Sequence, residues 1–242
     1  MVIQVDEAKR LILDAVKPLD AVEVDLADAP GRVLAEEIVA DRDFPPTDRS
    51  AMDGFAVRVD DIAADGATLE IEGEIRAGQP LGTQRVGPGR AFRIMTGAIV
   101  PPGADAVVMV EVTETDESGT RVRTPGRPEP GQHIRRRGED LAAGTTVLRP
   151  GALIGAAEIA ALASVGRTRT RVHRAPVVRV LSTGDEIVEP SETPEDHQVR
   201  NSNAWSLLAQ LEEIGIRGER LGVAPDRRAG LADALERGLA SD

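Results

Sequence analysis

The sequence predicts a multidomain α+β protein, and three observations carry that reading. An amphipathic helix opens the chain, a long middle stretch is built of short β-branched runs between glycine and proline turns, and the final third alternates strand, helix, strand, helix. Length permits this, since 242 residues with 41% hydrophobic content suffice for a sizeable core and for one or two ordinary domains.

Val5, Ala8, Leu11, Ile12 and Val16 recur at helical spacing after Asp6, and Pro18 opposes continuation, so residues 6–17 read as a helix with an apolar stripe to bury. From about 20 to 45 short strands and turns follow, closed by Pro45-Pro46, where we place a boundary. Residues 46–140 form a β-rich, barrel-like module, with strand runs at Phe55 to Val59, Leu69 to Ile75 and Ala106 to Val112. The stretch 141–174 returns to turns, a short helix around Ile159, Leu162 and Ala163 that Gly166 stops, and an arginine-alternating strand, Arg167 to Val172.

From 175 to 242 the pattern is a strand at Val177 to Leu181, a helix near 203–214, a strand near 216–223 and a helix near 227–240. Such a βαβα series builds a parallel sheet by right-handed crossovers, with its ligand crevice beyond the carboxyl ends of the strands. Glu186 falls just past one such end and Asp226 past the other, where an aspartate also serves as a helix N-cap. Two parallel strands alone leave an uncovered edge, so this segment reads as an incomplete α/β domain.

Composition excludes several functions. No cysteine is present and three scattered histidines cannot form an imidazole cluster, which argues against zinc, copper and disulfides. A net charge of -12 without a basic, aromatic-lined stripe argues against nucleic-acid binding. No apolar run approaches the roughly 18 residues of a membrane span and no signal-peptide pattern opens the chain, so the expected location is cytoplasmic.

Four segments combine a turn with exposed polar groups. The first, Asp48-Arg49-Ser50-Ala51-Met52-Asp53-Gly54-Phe55-Ala56-Val57, aims a carboxylate out of a turn that opens a strand. Asp-Gly is also a hairpin signal in its own right, because both residues tolerate positive φ, so Asp53 has a turn reading beside the functional one. The others are Arg93 to Ala98 with Thr96, Gln132 to Asp140 with three consecutive arginines, and Leu181 to Glu186. Thr96 reads equally as a strand-ending threonine, and Arg135-Arg136-Arg137 with Glu139 and Asp140 as an exposed charge network.

In this order and at these separations the segments resemble the molybdopterin molybdenumtransferase family, the MoeA proteins and the E domain of gephyrin, from near residue 5 to the last residue. The resemblance implies an enzyme of molybdenum cofactor biosynthesis that inserts molybdate into adenylylated molybdopterin and releases AMP. It implies that 1–45 and 141–174 join as a split, elongated dimerisation module around the inserted 46–140 domain, and that 175–242 begins the molybdopterin-binding domain. Full family members continue with a glycine-rich loop, a lysine- and proline-containing segment and a further β domain.

Six residues match functional positions of the family: Asp53, Thr96, Asp140 and Glu186 as catalytic, and Arg135 and Asp226 as substrate-binding. Magnesium is the implied cofactor, with Asp53 and Glu186 as its protein ligands beside substrate phosphate. The implied assembly is a homodimer in which the β-rich module of one subunit faces the α/β domain of the other, with the molybdopterin adenylyltransferase as a further partner. An alternative from another class is a catalytically incomplete fragment acting as a dimerising binding or scaffold module.

Overall fold

The computed structural model describes residues 3–239, and the chain divides into two compact units. One unit comprises the chain up to Ile38 together with the chain from Leu148 onward; the other is Val39–Val147.

The Val39–Val147 unit is organised by a mixed six-stranded sheet. Its strands run in the order Ala106–Met109, Gly54–Val57, Arg90–Ile94, Ala67–Ile75, Arg121–Thr124 and Glu114–Thr115. All neighbours are antiparallel except Ala67–Ile75 with Arg90–Ile94. Apolar residues cover both faces of the interior strand Gly54–Val57. Phe55 and Val57 pack with Leu69, Ala91, Val108 and Val122, whereas Ala56 packs with Ile75, Phe92, Ile94 and Val107 on the opposite side. This two-sided burial explains why Gly54–Val57 is apolar throughout instead of alternating.

Gly54 is needed here for closeness and not for turning. It is not among the residues with positive φ, and a Cβ placed on it would lie 2.0 Å from the Val108 carbonyl oxygen of the neighbouring strand. The hairpin reading of Asp53-Gly54 therefore gives way to a tight backbone approach. Two strands also end earlier than their apolar runs suggest. After Val57 the chain enters a 3₁₀ turn at Val59–Asp61, where the Asp105 carboxylate accepts the Val59 N–H at 2.7 Å. After Met109 a second such turn, Val110–Val112, takes over.

In the other unit, Ala21–Asp25 pairs antiparallel with Arg169–His173, and the helix Ala156–Ser164 buries Leu162 completely. Gly166 follows that helix with φ +75°, the left-handed conformation that lets glycine end a helix. Further along, Val178–Thr183 lies parallel to Gly218–Ala224, and the helices Asn203–Glu213 and Arg228–Leu239 pack on this pair. Small residues, Ala204 and Ala234, are the buried contacts of those helices. The N-terminal helix, Val5–Ala15, has its stripe where periodicity placed it, but none of its side chains is buried. Among the described residues no helix is long and apolar enough to cross a membrane.

Candidate functional site

The six residues singled out by sequence fall on both units: Asp53, Thr96, Arg135 and Asp140 lie within Val39–Val147, whereas Glu186 and Asp226 lie in the other. All six are exposed.

Asp53 is fixed at both ends. Its backbone carbonyl accepts the Val110 N–H at 3.0 Å, which holds the residue at the entry to the strand Gly54–Val57. Its Oδ1 accepts two bonds from Thr96, one from the backbone N–H and one from the hydroxyl, each at 2.7 Å. The Thr96 N–H, then the Thr96 hydroxyl, and more weakly the charge of Arg93, hold the Asp53 carboxyl below the usual aspartate range. The pair thus presents an ionised carboxylate whose Oδ2 accepts no hydrogen bond among the described residues, beside a hydroxyl whose proton is already committed. Thr96 serves as more than the end of a strand.

Arg135 and Asp140 also meet, as an ion pair. Arg135 is carried by the short strand Ile134–Arg135, which pairs antiparallel with Arg49–Ser50, a few residues before Asp53, and Asp140 lies in the turn that follows it. The neighbouring arginines have acidic partners too. The Asp48 carboxylate accepts bonds from the Arg136 guanidinium at 2.7 Å and the Arg137 N–H at 2.8 Å, and Arg137 pairs with Asp43. Partial burial pushes the Asp48 carboxyl up, but the Arg137 N–H and the Arg136 guanidinium outweigh it and leave Asp48 below its ordinary range. The arginine run is therefore a matched charge network, in which the Arg135 guanidinium is already engaged by Asp140.

In the other unit the strand Val178–Thr183 ends at Gly184, with φ +139°. The space a Cβ would fill there is taken by the Glu186 carboxylate, whose Oε2 lies 2.6 Å from that position. The chain thus folds the glutamate back over the end of its own strand. Asp226, in the loop after Gly218–Ala224, donates its N–H to Asp185 Oδ1 at 3.2 Å. The structure joins Asp226 to Asp185, not to Glu186. The two parallel strands therefore meet loop to loop at their carboxyl ends, where α/β sheets bind ligands. A recess of about 320 Å³ opens beside them, lined by Ser182, Thr183, Ile187, Asn201, Asn203 and Leu207.

Among the described residues no three histidine or acidic side chains converge as a metal cage. Magnesium does not require one, because it takes one or two carboxylates together with substrate phosphate and water. The free Oδ2 of Asp53 suits that mode of binding.

Sequence reasoning passed over Asp48, Arg49 and Ser50 as working residues, although they stand in the Asp53 segment. The available signal was spacing: a serine two residues before Met52 can bond the backbone of the turn that carries Asp53.

Known proteins resemble this chain over most of its length. Residues 3–166 match the family described as MoeA N-terminal region (domain I and II). The molybdopterin molybdenumtransferase of Haemophilus influenzae is 37% identical over 226 residues, which cover 93% of this chain and 55% of that protein. That of Bacillus subtilis is 38% identical over 230 residues, covering 93% and 53%. The crystal structure of the molybdopterin biosynthesis MoeA protein of Pyrococcus horikoshii superposes with a TM-score of 0.88 at 32% identity, over 99% of this chain and 64% of that one. The chain spans a little over half the length of these curated relatives.

Proposed function

This chain belongs to the MoeA family, and on that premise we propose that it acts in molybdenum cofactor biosynthesis as a molybdopterin molybdenumtransferase, inserting molybdate into adenylylated molybdopterin with release of AMP. The observation that carries the reading is the Asp53–Thr96 pair, a carboxylate kept ionised by two bonds from one threonine at the mouth of a rigid sheet.

In this reading Asp53 would hold magnesium beside substrate phosphate, Glu186 would be a further carboxylate ligand, and the ion when bound would supply positive charge against the anionic substrate. Arg135 exchanges part of its bond to Asp140 for a phosphate oxygen, and Asp140 keeps the guanidinium oriented while it does so. Asp226 takes a substrate-binding role at the strand ends, where its N–H is already drawn toward Asp185. No side chain supplies a covalent nucleophile; the protein positions an anion and neutralises it.

A homodimer is part of the proposal. The helix Val5–Ala15 leaves Ile12 61% and Leu13 73% exposed, an apolar surface suited to a second copy. The division into 1–45 with 141–174, 46–140 and 175–242 belongs to the same reading, as does direct receipt of substrate from the adenylyltransferase that makes it. That exposed stripe also favours a second reading, in which the chain is a dimerising scaffold without turnover of its own.

The test is AMP release from adenylylated molybdopterin in the presence of molybdate and magnesium, with binding of the same substrate measured by calorimetry. Asp53→Ala is expected to reduce turnover by about 100-fold while leaving the thermal transition in place. Neither binding nor turnover by the unsubstituted chain would overturn the enzyme reading in favour of the scaffold.

A further inference from the structure

Asp53 and Thr96 are 43 residues apart in sequence, and their 2.7 Å contacts depend on two loops held at a fixed separation. Both loops are fastened to the same dipeptide. On the Asp53 side, the Ser50 hydroxyl, on a residue only 1% exposed, donates to the Met52 carbonyl at 2.6 Å and accepts the Met52 N–H at 3.4 Å. This closes a compact turn immediately before Asp53.

On the Thr96 side, three bonds clamp residues 97 and 98 onto residues 49 and 50. The Ser50 N–H donates to the Ala98 carbonyl at 3.0 Å and the Gly97 N–H donates to the Ser50 carbonyl at 2.8 Å. The Arg49 guanidinium donates to the Gly97 carbonyl at 2.6 Å. Gly97 has φ +79°, so this carbonyl belongs to a left-handed turn that the guanidinium pins from outside.

We propose that Arg49 and Ser50 are positioning residues, which together fix the Asp53 carboxylate against the Thr96 N–H and hydroxyl. Neither touches substrate. Ser50 sets the turn from which the carboxylate projects, and Arg49 sets the turn from which the two donors project. Asp48, next in line, performs a separate task, since its side chain engages Arg136 and Arg137 instead. As a contribution to catalysis the assignment rests on the function proposed above; as geometry it stands without it.

The geometry can be read directly from the Thr96 amide, which donates to Asp53 Oδ1 at 2.7 Å. The experiment is 1H–15N NMR with amide exchange on the chain, in Ser50→Ala and Arg49→Gln. The Thr120 amide provides an internal control in the same spectra, because it donates to Asp116 Oδ1 at 2.8 Å within its own loop. The expected result is an upfield move of the Thr96 amide proton with loss of its exchange protection in both variants, with Thr120 unmoved. A Thr96 signal as in the unsubstituted chain in either variant would overturn the role of that residue. Movement of Thr96 and Thr120 together would overturn positioning in favour of general loss of structure. Arg49→Lys, which retains a cationic donor, is expected to restore the Thr96 signal at least in part; no restoration counts against the guanidinium clamp. Failure of the AMP assay would defeat the proposed function without altering any of these readings.

Discussion

The Val39–Val147 unit and the remainder of the chain hold their candidate residues in different ways. In the first, Asp53 and Thr96 emerge from strands whose apolar residues are buried on both faces of the sheet, and the Asp53 and Asp48 carboxylates each accept two bonds. In the second, Glu186 and Asp226 follow a pair of parallel strands whose ends are joined by two backbone N–H bonds, Gly184 to the Ala224 carbonyl and Asp226 to Asp185 Oδ1, each at 3.2 Å. The helices packed on that pair expose Trp205, Leu207 and Leu235, each about half accessible. Precise placement of a charge follows from a core that is closed around the element carrying it.

That contrast can be broken or sharpened by measurement, provided each unit has its own probe. Trp205, the single tryptophan, reports one unit by fluorescence, and amide exchange at Gly54–Val57 reports the other. Gly54→Ala is expected to have the largest effect, because its methyl group would meet the backbone of the adjacent strand at 2.0 Å and neither chain has side-chain freedom to yield. Loss of exchange protection throughout Gly54–Val57 is the expected outcome, and retained protection would show that the close approach is not obligatory.

Phe55→Ala comes next. It empties a fully enclosed position and is expected to destabilise the Val39–Val147 unit by about 3–5 kcal/mol, read from the dependence of exchange on urea.

Acid produces a smaller and graded effect. Asp43, Asp48, Asp53, Glu74 and Asp116 all lie within Val39–Val147 and all are held below their ordinary ranges. A carboxyl with a lowered folded pKa contributes stability that is complete above its unfolded value and is lost as pH falls through the folded one. Exchange protection in this unit is therefore expected to weaken once pH drops below about 4. Unchanged protection at pH 2 would show that these bonds hold no more strongly in the folded state.

The smallest effect belongs to Trp205→Ala. The residue is 51% exposed and its specific contact is Arg220, 4.9 Å from the ring centroid, an arrangement worth about 0.5–1 kcal/mol at such a site. With the tryptophan removed, thermal unfolding by circular dichroism becomes the readout, and a loss far larger than this would mean that the helix Asn203–Glu213 is packed more tightly than its exposure indicates.

Much of the local structure was legible because it depends on periods the chain writes out directly. The stripe from Val5 to Val16 gives the helix Val5–Ala15, the run before Ser182 gives a strand, and Gly166 stops a helix as its freedom at positive φ allows. Asp53-Gly54 was less transparent. The dipeptide suggests a turn by propensity, yet its glycine answers to Val108, a residue more than 50 positions away in the chain. Likewise, Glu186 and Asp185 are equivalent acids in the sequence, and only the loop after Gly218–Ala224 distinguishes them by delivering the Asp226 N–H to Asp185.

The sequence by itself determined the kinds of element, the family to which they belong and the set of polar residues from which a site can be made, because periodicity, turn chemistry and motif order are properties of neighbours along the chain. Tertiary structure decided the partnerships: Thr96 with Asp53, Asp140 with Arg135, Asp48 with Arg136, and Arg49 with Gly97. A hydrogen bond falls away within a few tenths of an ångström and a few tens of degrees, so its partner is set by how strands register and loops close, and no pattern of residue types specifies that alone.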